Sequence, residues 1–156
     1  IAQFLKTTKA LEHRLENFCL KKNTLFVNDS KGTNVESTVK AIEAFKNKVV
    51  LIAGGENKKI CNDELIKKIN ERVGFVYLIG ETGTILAEEM DKVGYKKYKN
   101  LGTLEKVLLD IRENIDFEDG QTILFSPATA SFDQFKNFEE RGRIFKELTN
   151  KILGEK

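Results

Sequence analysis

The 156-residue sequence contains little of what several common kinds of site require. It has two cysteines, one histidine and no tryptophan, and its only methionine and only proline are Met90 and Pro127. Cys19 and Cys61 have no clustered partners, so they predict neither a disulfide framework nor a zinc site, and two thiols in a reducing cytoplasm are the simplest interpretation. Because His13 is the only histidine, a histidine-based metal site is strongly disfavoured, and we expect no metal ligands in the chain.

Charge of one sign and long apolar runs are also missing. The sequence has 26 Lys and Arg against 24 Asp and Glu, scattered along the chain, for a net charge of +2. This balance gives no electrostatic footprint for nucleic acid. No apolar run approaches the roughly 20 residues of a membrane span, and no signal peptide opens the sequence. We expect a cytoplasmic protein that binds neither nucleic acid nor membrane.

Three common motifs are absent from the sequence. Neither G-x-x-x-x-G-K-[ST] nor G-x-G-x-x-G occurs, and no G-x-S-x-G supports a hydrolase nucleophile. The chain begins at Ile1 and lacks an initiator methionine, so we expect a piece of a longer protein. Residues 1–11 show no clear period and are predicted to be a linker or hinge remnant from a preceding domain. Residues 12–156 are long enough for one domain with a real core.

Short apolar runs alternate with helical patterns along the sequence. This alternation predicts an α/β fold with a doubly wound, mostly parallel, Rossmann-like sheet, and an N-terminal hairpin that adds an antiparallel edge strand. The predicted strands cover 17–20, 24–28, 49–53, 75–79, 95–98 and 122–125, and the predicted helices cover 35–45, 63–72, 82–93, 104–115 and 138–153.

The segment Asn28–Asn34 places six functional side chains in seven positions between a predicted strand and a predicted helix. Asn, Asp, Ser and Thr there are ordinary capping residues, but one cap needs neither a lysine nor so many polar groups. In open α/β sheets the carboxyl ends of the strands bind ligands, beside helix N-termini that can receive an anion. The segment is therefore the leading candidate for a binding site.

Two other strands end in unusual loops, Gly54–Lys59 and Ser126–Phe138. The first fits either a ligand-approaching turn with a cationic Lys58 or a plain turn with solvated lysines. The second is long, polar and aromatic, although core packing would explain at least one of its phenylalanines. We expect both loops to share one rim with Asn28–Asn34 and to form a single cleft.

Two polar features of the sequence are interpreted as solvent-exposed. His13 lies beside Arg14 near the start of the chain, where a lone histidine is usually exposed. The run Glu139–Arg141 is most simply a solvated helix face.

Four segments in order, Glu12–Glu16, Asn28–Asn34, Ile52–Gly55 and Ser126–Gly142, resemble the carboxy-terminal domain of the Mur ligases. Within that family, Asn28–Asn34 is similar to the D-glutamate-adding type. The resemblance covers the chain from about Leu11 onward.

The resemblance implies a substrate-binding and lid domain of an ATP-dependent ligase, which adds D-glutamate to UDP-N-acetylmuramoyl-L-alanine in peptidoglycan synthesis through an acyl-phosphate. It implies ATP and Mg²⁺ as cofactors, with the magnesium ligands mainly in a central domain that also carries the P-loop. The N-terminal and central domains of the same ligase would be partners, and the isolated chain would not turn over.

The resemblance also implies roles for nine residues. Lys31 would lie near the reacting phosphate and carboxylate, and the nucleotide would be faced by His13, Arg14 and Asp29, with Asp29 accepting hydrogen bonds from ribose hydroxyls. Thr33 and Lys58 would hold the α-carboxylate of D-glutamate. Its side-chain carboxylate would be bound by Ser131, Phe132 and Phe138.

Two positions depart from the family pattern, Thr129 where Cys or Ala is usual and Phe132 where Leu is frequent. The alternatives are a related Mur or folylpolyglutamate-type ligase domain, and a stand-alone doubly wound binding or regulatory module.

Overall fold

The computed structural model describes residues 11–56 and 61–154, so most of the predicted linker at residues 1–11 lies outside the described part. The strands are β1 (Glu16–Lys21), β2 (Thr24–Asn28), β3 (Val49–Ala53), β4 (Val73–Ile79), β5 (Tyr98–Gly102) and β6 (Thr122–Phe125). The helices are α1 (Val35–Glu43), α2 (Asp63–Arg72), α3 (Gly83–Lys92), α4 (Leu104–Asn114) and α5 (Phe138–Leu153), with a 3₁₀ turn at Phe117–Asp119.

The six strands form one sheet in the order β1-β2-β6-β3-β4-β5. All neighbouring pairs are parallel except β1 with β2, which form an antiparallel hairpin at one edge. The hairpin turns at Lys22, which adopts a left-handed φ of 53°. The predicted α/β class, the mostly parallel sheet and the antiparallel edge strand are therefore confirmed.

The sheet is covered on both faces, which explains its continuous apolar strands. One core packs helices α1, α2 and α3 onto the sheet through residues such as Ile42, Leu65 and Met90. The other packs α4 and α5 onto the opposite face through Leu108 and Phe145. Every residue of β3 is buried, as its unbroken apolar run predicts.

The fifth strand was predicted at 95–98, and this position is wrong. Tyr95 precedes β5, and its ring is buried while its hydroxyl donates to the carbonyl of Val73 at 2.9 Å. It therefore anchors the segment before the strand. β5 is the free edge of the sheet, and its central Lys99 and Asn100 are exposed, so the strand lacks the apolar pattern that marks its neighbours. In the described ranges no helix has both the length and the apolarity needed to cross a membrane.

Candidate functional site

The site lies where the connections of the sheet change direction. β2, β6 and β3 are parallel neighbours, so their carboxyl ends meet at one edge. β2 leads to α1 on one face, whereas β6 leads to α5 on the other. Neighbouring loops that leave toward opposite faces open a crevice between them, which is where doubly wound sheets bind ligands.

Direct hydrogen bonds join the three predicted loops at this edge. Gly54 N–H donates to the Pro127 carbonyl at 2.9 Å, and Ala128 N–H donates to the Gly32 carbonyl at 2.8 Å. Gly54 has a φ of +115°, and a Cβ there would lie 2.1 Å from the Ile79 carbonyl oxygen, so only glycine fits. The predicted convergence of the loops is confirmed.

A fourth segment, residues 11–15, belongs to the same edge. It precedes β1, and because β1 is antiparallel, the amino end of that strand lies beside the carboxyl end of β2. His13 and Leu15 have left-handed φ values of 70° and 45°. Leu15 N–H donates to Asp29 Oδ1 at 3.0 Å, and Lys31 N–H donates to the His13 carbonyl at 2.9 Å. Strained backbone held by such contacts is common at functional sites.

A cleft of about 310 Å³ lies between residues 11–15, the Asn28–Asn34 loop and helix α1, and its lining includes Arg14, Asp29, Lys31, Gly32 and Lys40. Three residues with nucleotide or catalytic roles implied by the resemblance, Arg14, Asp29 and Lys31, thus line one space. Their charges are those required to hold phosphate groups and to accept hydrogen bonds from hydroxyls.

Asp29 is the buried carboxylate of the cleft, with 4% of its surface exposed. Its Oδ2 accepts a hydrogen bond of 2.7 Å from Ser126 Oγ, and its Oδ1 accepts the bond from Leu15 N–H. Burial raises the pKa of Asp29, and these two bonds, with the charges of Arg14 and Arg141, offset part of the rise. The carboxylate therefore joins three segments of the site while lining the cleft.

His13 is buried, so the surface interpretation is wrong. Its Nδ1 lies 2.9 Å from Asn28 Nδ2, and its ring meets Phe138 edge-on with 6.2 Å between centroids. Burial lowers the pKa of His13, which favours the neutral ring. With Nδ1 accepting from the Asn28 amide, the proton belongs on Nε2, near Glu12 at 3.6 Å. The proposed role of His13 toward the nucleotide stays a prediction.

Lys31 points over the aromatic ring that begins α5. Its Nζ lies 4.7 Å from the centroid of Phe138, within the range of a cation–π contact. The Phe138 carbonyl in turn accepts a 2.8 Å hydrogen bond from Ser30 Oγ. Thr33 follows in the same loop and is half-buried, and its N–H donates to the Lys31 carbonyl at 2.8 Å.

The loop after β6 carries the predicted glutamate-side-chain residues in two different environments. Ser131 is 1% exposed, whereas Phe132 is 62% exposed. Ala128 holds a left-handed φ of 69°, which turns the chain sharply after Pro127. Lys58 lies outside the described residues, so its predicted contact with the α-carboxylate remains a prediction.

Arg141 was interpreted as part of a solvated run, and this is wrong. It is 1% exposed and is one of the largest fully buried side chains of the described residues. Nη2 donates to the Ser30 carbonyl at 2.7 Å, and Nε donates to Ser30 Oγ at 3.0 Å. The guanidinium lies over the Phe125 ring at 5.8 Å. Burial lowers its pKa to about 10, opposed by Asp133 and Asp29, so it is still protonated at neutral pH.

Residues 11–56 and 61–154 contain no cluster of three or more His, Cys, Asp or Glu that could hold a metal ion.

The fold and the site define a doubly wound α/β domain with a charged cleft at the switch point of its sheet. Residues 13–129 match the family described as "Mur ligase, glutamate ligase domain". The chain belongs to this family.

Two relatives show the similarity across almost the whole chain. The UDP-N-acetylmuramoylalanine–D-glutamate ligase of Fusobacterium nucleatum is 44% identical over 156 residues, covering 99% of this chain and 36% of the relative. The ligase of the same name from Caldicellulosiruptor bescii is 39% identical over 154 residues, covering 98% of this chain and 33% of the relative. The chain thus spans about a third of the length of these curated relatives.

Solved structures share the fold at low sequence identity. The MurF ligase of Thermotoga maritima in complex with ADP superposes with a TM-score of 0.57 and 19% identity, over 95% of this chain and 33% of that one. The bifunctional folylpolyglutamate synthase/dihydrofolate synthase of Yersinia pestis gives a TM-score of 0.60 and 16% identity, over 91% of this chain and 32% of that one. At these identities the similarity concerns the fold alone.

Proposed function

We propose that this chain is the substrate-binding and lid domain of an ATP-dependent ligase that adds D-glutamate to UDP-N-acetylmuramoyl-L-alanine. The observation that carries the proposal is the junction at the sheet edge. A charged cleft containing Asp29 and Lys31 lies there beside the loop that carries the buried Ser131, and Ser126 and Ala128 of that loop are hydrogen-bonded to Asp29 and Gly32. Relatives that match nearly the whole chain carry the name of the D-glutamate ligase.

The site residues of the chain then divide into two groups by the ligand that they bind, ATP or D-glutamate. Arg14 and Lys31 supply cations for phosphate oxygens, and the buried Asp29 carboxylate accepts hydrogen bonds from ribose hydroxyls. D-Glutamate carries two carboxylates, so its site needs donors at two points, which Thr33 with Lys58 and the loop of Ser131–Phe138 supply. Catalysis is then positioning and charge stabilisation at an acyl-phosphate, and no protein nucleophile is required.

ATP binds partly to this domain and partly to the rest of the ligase. The cations and the carboxylate of the cleft fit the phosphates and the ribose. Mg²⁺ would stabilise negative charge on the phosphates, and its ligands belong to the part of the ligase outside this chain. The N-terminal and central domains of that ligase are the partners, residues 1–11 are the hinge, and the site of action is the cytoplasm. We expect no turnover from the isolated chain.

The test is amide-bond formation by the intact ligase that contains this chain. We expect ATP-dependent phosphate release with UDP-N-acetylmuramoyl-L-alanine and D-glutamate, and no comparable rate with other amino acids or with a folate. Lys31→Ala should lower kcat by roughly 100-fold, the usual effect of removing one group that stabilises transition-state charge. Lys151→Ala, which removes an exposed lysine outside the cleft, is the matched control and should leave kcat unchanged. Preference for another amino acid would contradict the proposal.

A further inference from the structure

Arg141 is hydrogen-bonded to one loop of the site and faces a second. Two of its donor nitrogens bind Ser30, in the loop of Asp29 and Lys31. The third, Nη1, faces the loop after β3, because a Cβ at Gly55 would lie 3.3 Å from it. The same Cβ would lie 2.2 Å from Thr129 Oγ1 and 2.6 Å from the Ala130 carbonyl oxygen. The guanidinium and the loop of Thr129 therefore pack on one backbone position.

On the side of Gly55 and Thr129, the groups around the guanidinium are only partly hydrogen-bonded. Among the buried side-chain atoms of residues 11–56 and 61–154, Arg141 Nη1, Thr129 Oγ1 and Ser131 Oγ have no hydrogen-bond partner. Leaving a buried donor unpaired costs about 1–3 kcal/mol. A ligand that supplies partners for these groups would stabilise the loop, whereas the bonds of Arg141 to Ser30 are already made.

Arg141 cannot move independently of its surroundings. Its side chain is fully buried, lies over the Phe125 ring and keeps its positive charge. Asp29, which follows Asn28 at the end of β2, is one of the two carboxylates that stabilise that charge. A shift of Ser30 on nucleotide binding would therefore move the guanidinium, and the guanidinium would displace Gly55 and Thr129.

We propose that Arg141 is a positioning residue that couples the nucleotide loop, residues 28–34, to the amino-acid loop, residues 126–137. Occupation of the first loop orders the second through one guanidinium, whose Nε and Nη2 bind Ser30 and whose Nη1 faces Gly55. This inference rests on the nucleotide-binding part of the proposed function. It requires neither the identity of the amino acid nor catalytic turnover.

Hydrogen exchange measured by mass spectrometry on the intact ligase tests the coupling. A non-hydrolysable ATP analogue should slow amide exchange in residues 28–34 and also in residues 126–137. Lysine at position 141 carries one compact ammonium in place of the planar guanidinium, so it cannot face both loops at once. In Arg141→Lys the analogue should therefore protect residues 28–34 alone. Arg143→Lys, on the same helix but with its side chain 55% exposed, is the matched control and should behave like the wild type.

A second variant keeps the test decisive if Arg141→Lys folds poorly. Ser30→Ala removes the hydroxyl that accepts from Arg141 Nε and leaves the guanidinium in place, so it should weaken the transmitted protection. In steady-state assays, saturating ATP should lower the KM of the wild type for D-glutamate by roughly 5-fold, the lower end of usual coupling, and Arg141→Lys should remove this effect.

The possible outcomes separate the two proposals. Protection of neither loop by the analogue would overturn the nucleotide-binding part of the proposed function. Protection of residues 28–34 alone in the wild type would overturn the coupling and leave that function intact. Equal protection of both loops in the wild type and in folded Arg141→Lys would show that another path connects them.

Discussion

The imidazole of His13 occupies the space that a side chain at Gly142 would need. A Cβ on Gly142 would lie 2.2 Å from His13 Nδ1 and 2.8 Å from Cε1. Gly142 lies within α5, where glycine is about 1 kcal/mol less favourable than alanine. Glycine at this position lets α5 pack directly against His13, which supports the cleft.

Gly142→Ala should therefore destabilise the protein despite its better helix propensity. The new methyl group must displace the buried ring of His13 from its Asn28 contact, and overpacking of this kind typically costs 1–3 kcal/mol. Urea unfolding measures the loss. Gly74→Ala is the control, because a Cβ there meets nothing closer than 3.7 Å, and its stability should be unchanged or higher. Equal stability of Gly142→Ala and the wild type would contradict the packing described for His13.

The stability of the protein should fall as the pH drops below 6.5. Burial lowers the pKa of His13 from its ordinary value of 6.5, with Glu12 and Glu16 opposing and Lys146 adding to the decrease. The unfolded chain then binds a proton more readily than the folded one, so stability is lost from pH 6.5 down to the lowered folded-state pKa. Thermal unfolding between pH 5 and 7 measures this. In His13→Gln, which keeps an acceptor for the Asn28 amide, the slope in this window should flatten.

Asp29→Asn should stabilise the fold while weakening nucleotide binding. The raised pKa of Asp29 means that the folded state holds the ionised carboxylate less well than water does. An amide keeps the acceptor for Leu15 N–H and can donate to Ser126 Oγ, whose own proton can turn to Thr38 Oγ1 at 2.8 Å. Calorimetry should show a higher melting temperature at pH 7, and titration should show weaker binding of ATP to the intact ligase.

The stability difference between wild type and Asp29→Asn should also narrow in acid. A carboxyl group with a raised folded-state pKa gains stability as the pH falls through that value. A difference that widened toward low pH would contradict the burial cost assigned to Asp29.

Phe138→Leu should impair the positioning of Lys31 more than the stability of α5. Leucine keeps an apolar contact but removes the ring face over which Nζ lies at 4.7 Å. A contact of this kind is worth about 0.5–1 kcal/mol, so kcat should fall by roughly 2–5-fold. Phe138→Tyr retains the ring and should retain kcat. An equal effect of the two substitutions would argue against a cation–π role.

Thr129→Val should be neutral or stabilising. Among the described residues the Thr129 hydroxyl has no hydrogen-bond partner although its oxygen is buried, and valine has nearly the same shape. Replacing an unpaired buried hydroxyl by a methyl group removes its desolvation cost, about 1–3 kcal/mol at most. Chemical denaturation of the variant measures the change, and a clear loss of stability would mean that the hydroxyl has a partner in solution.

Most of the fold could be predicted because its strands are buried on both faces. β6 and α5 begin and end at the predicted residues, since an unbroken apolar run and a strong capping residue mark them. The position of β5 could not be predicted from apolar periodicity, because an edge strand with exposed Lys99 lacks the signal.

The burial of charged residues at the site was harder to predict from the sequence. Arg141 lies in a run of charged residues, and its spacing of four from Phe145, which places it on the buried face of α5, is the one local sign that distinguishes it from exposed Glu139. Only the placement of Ser30 and Phe125 around it, through strands distant in sequence, creates its pocket. His13 is similar, because its burial depends on a glycine 129 positions later in the chain. The residue types around His13 give no local sign that it packs against Gly142.

The last strand of the chain inserts between β2 and β3, and this has a consequence for biosynthesis. Until β6 leaves the ribosome, the first half of the nascent domain has two strands with unsatisfied edges and no partner between them. A nascent chain whose synthesis stopped before Thr122 would be unable to close its sheet. Completion of the binding crevice thus waits for the synthesis of β6.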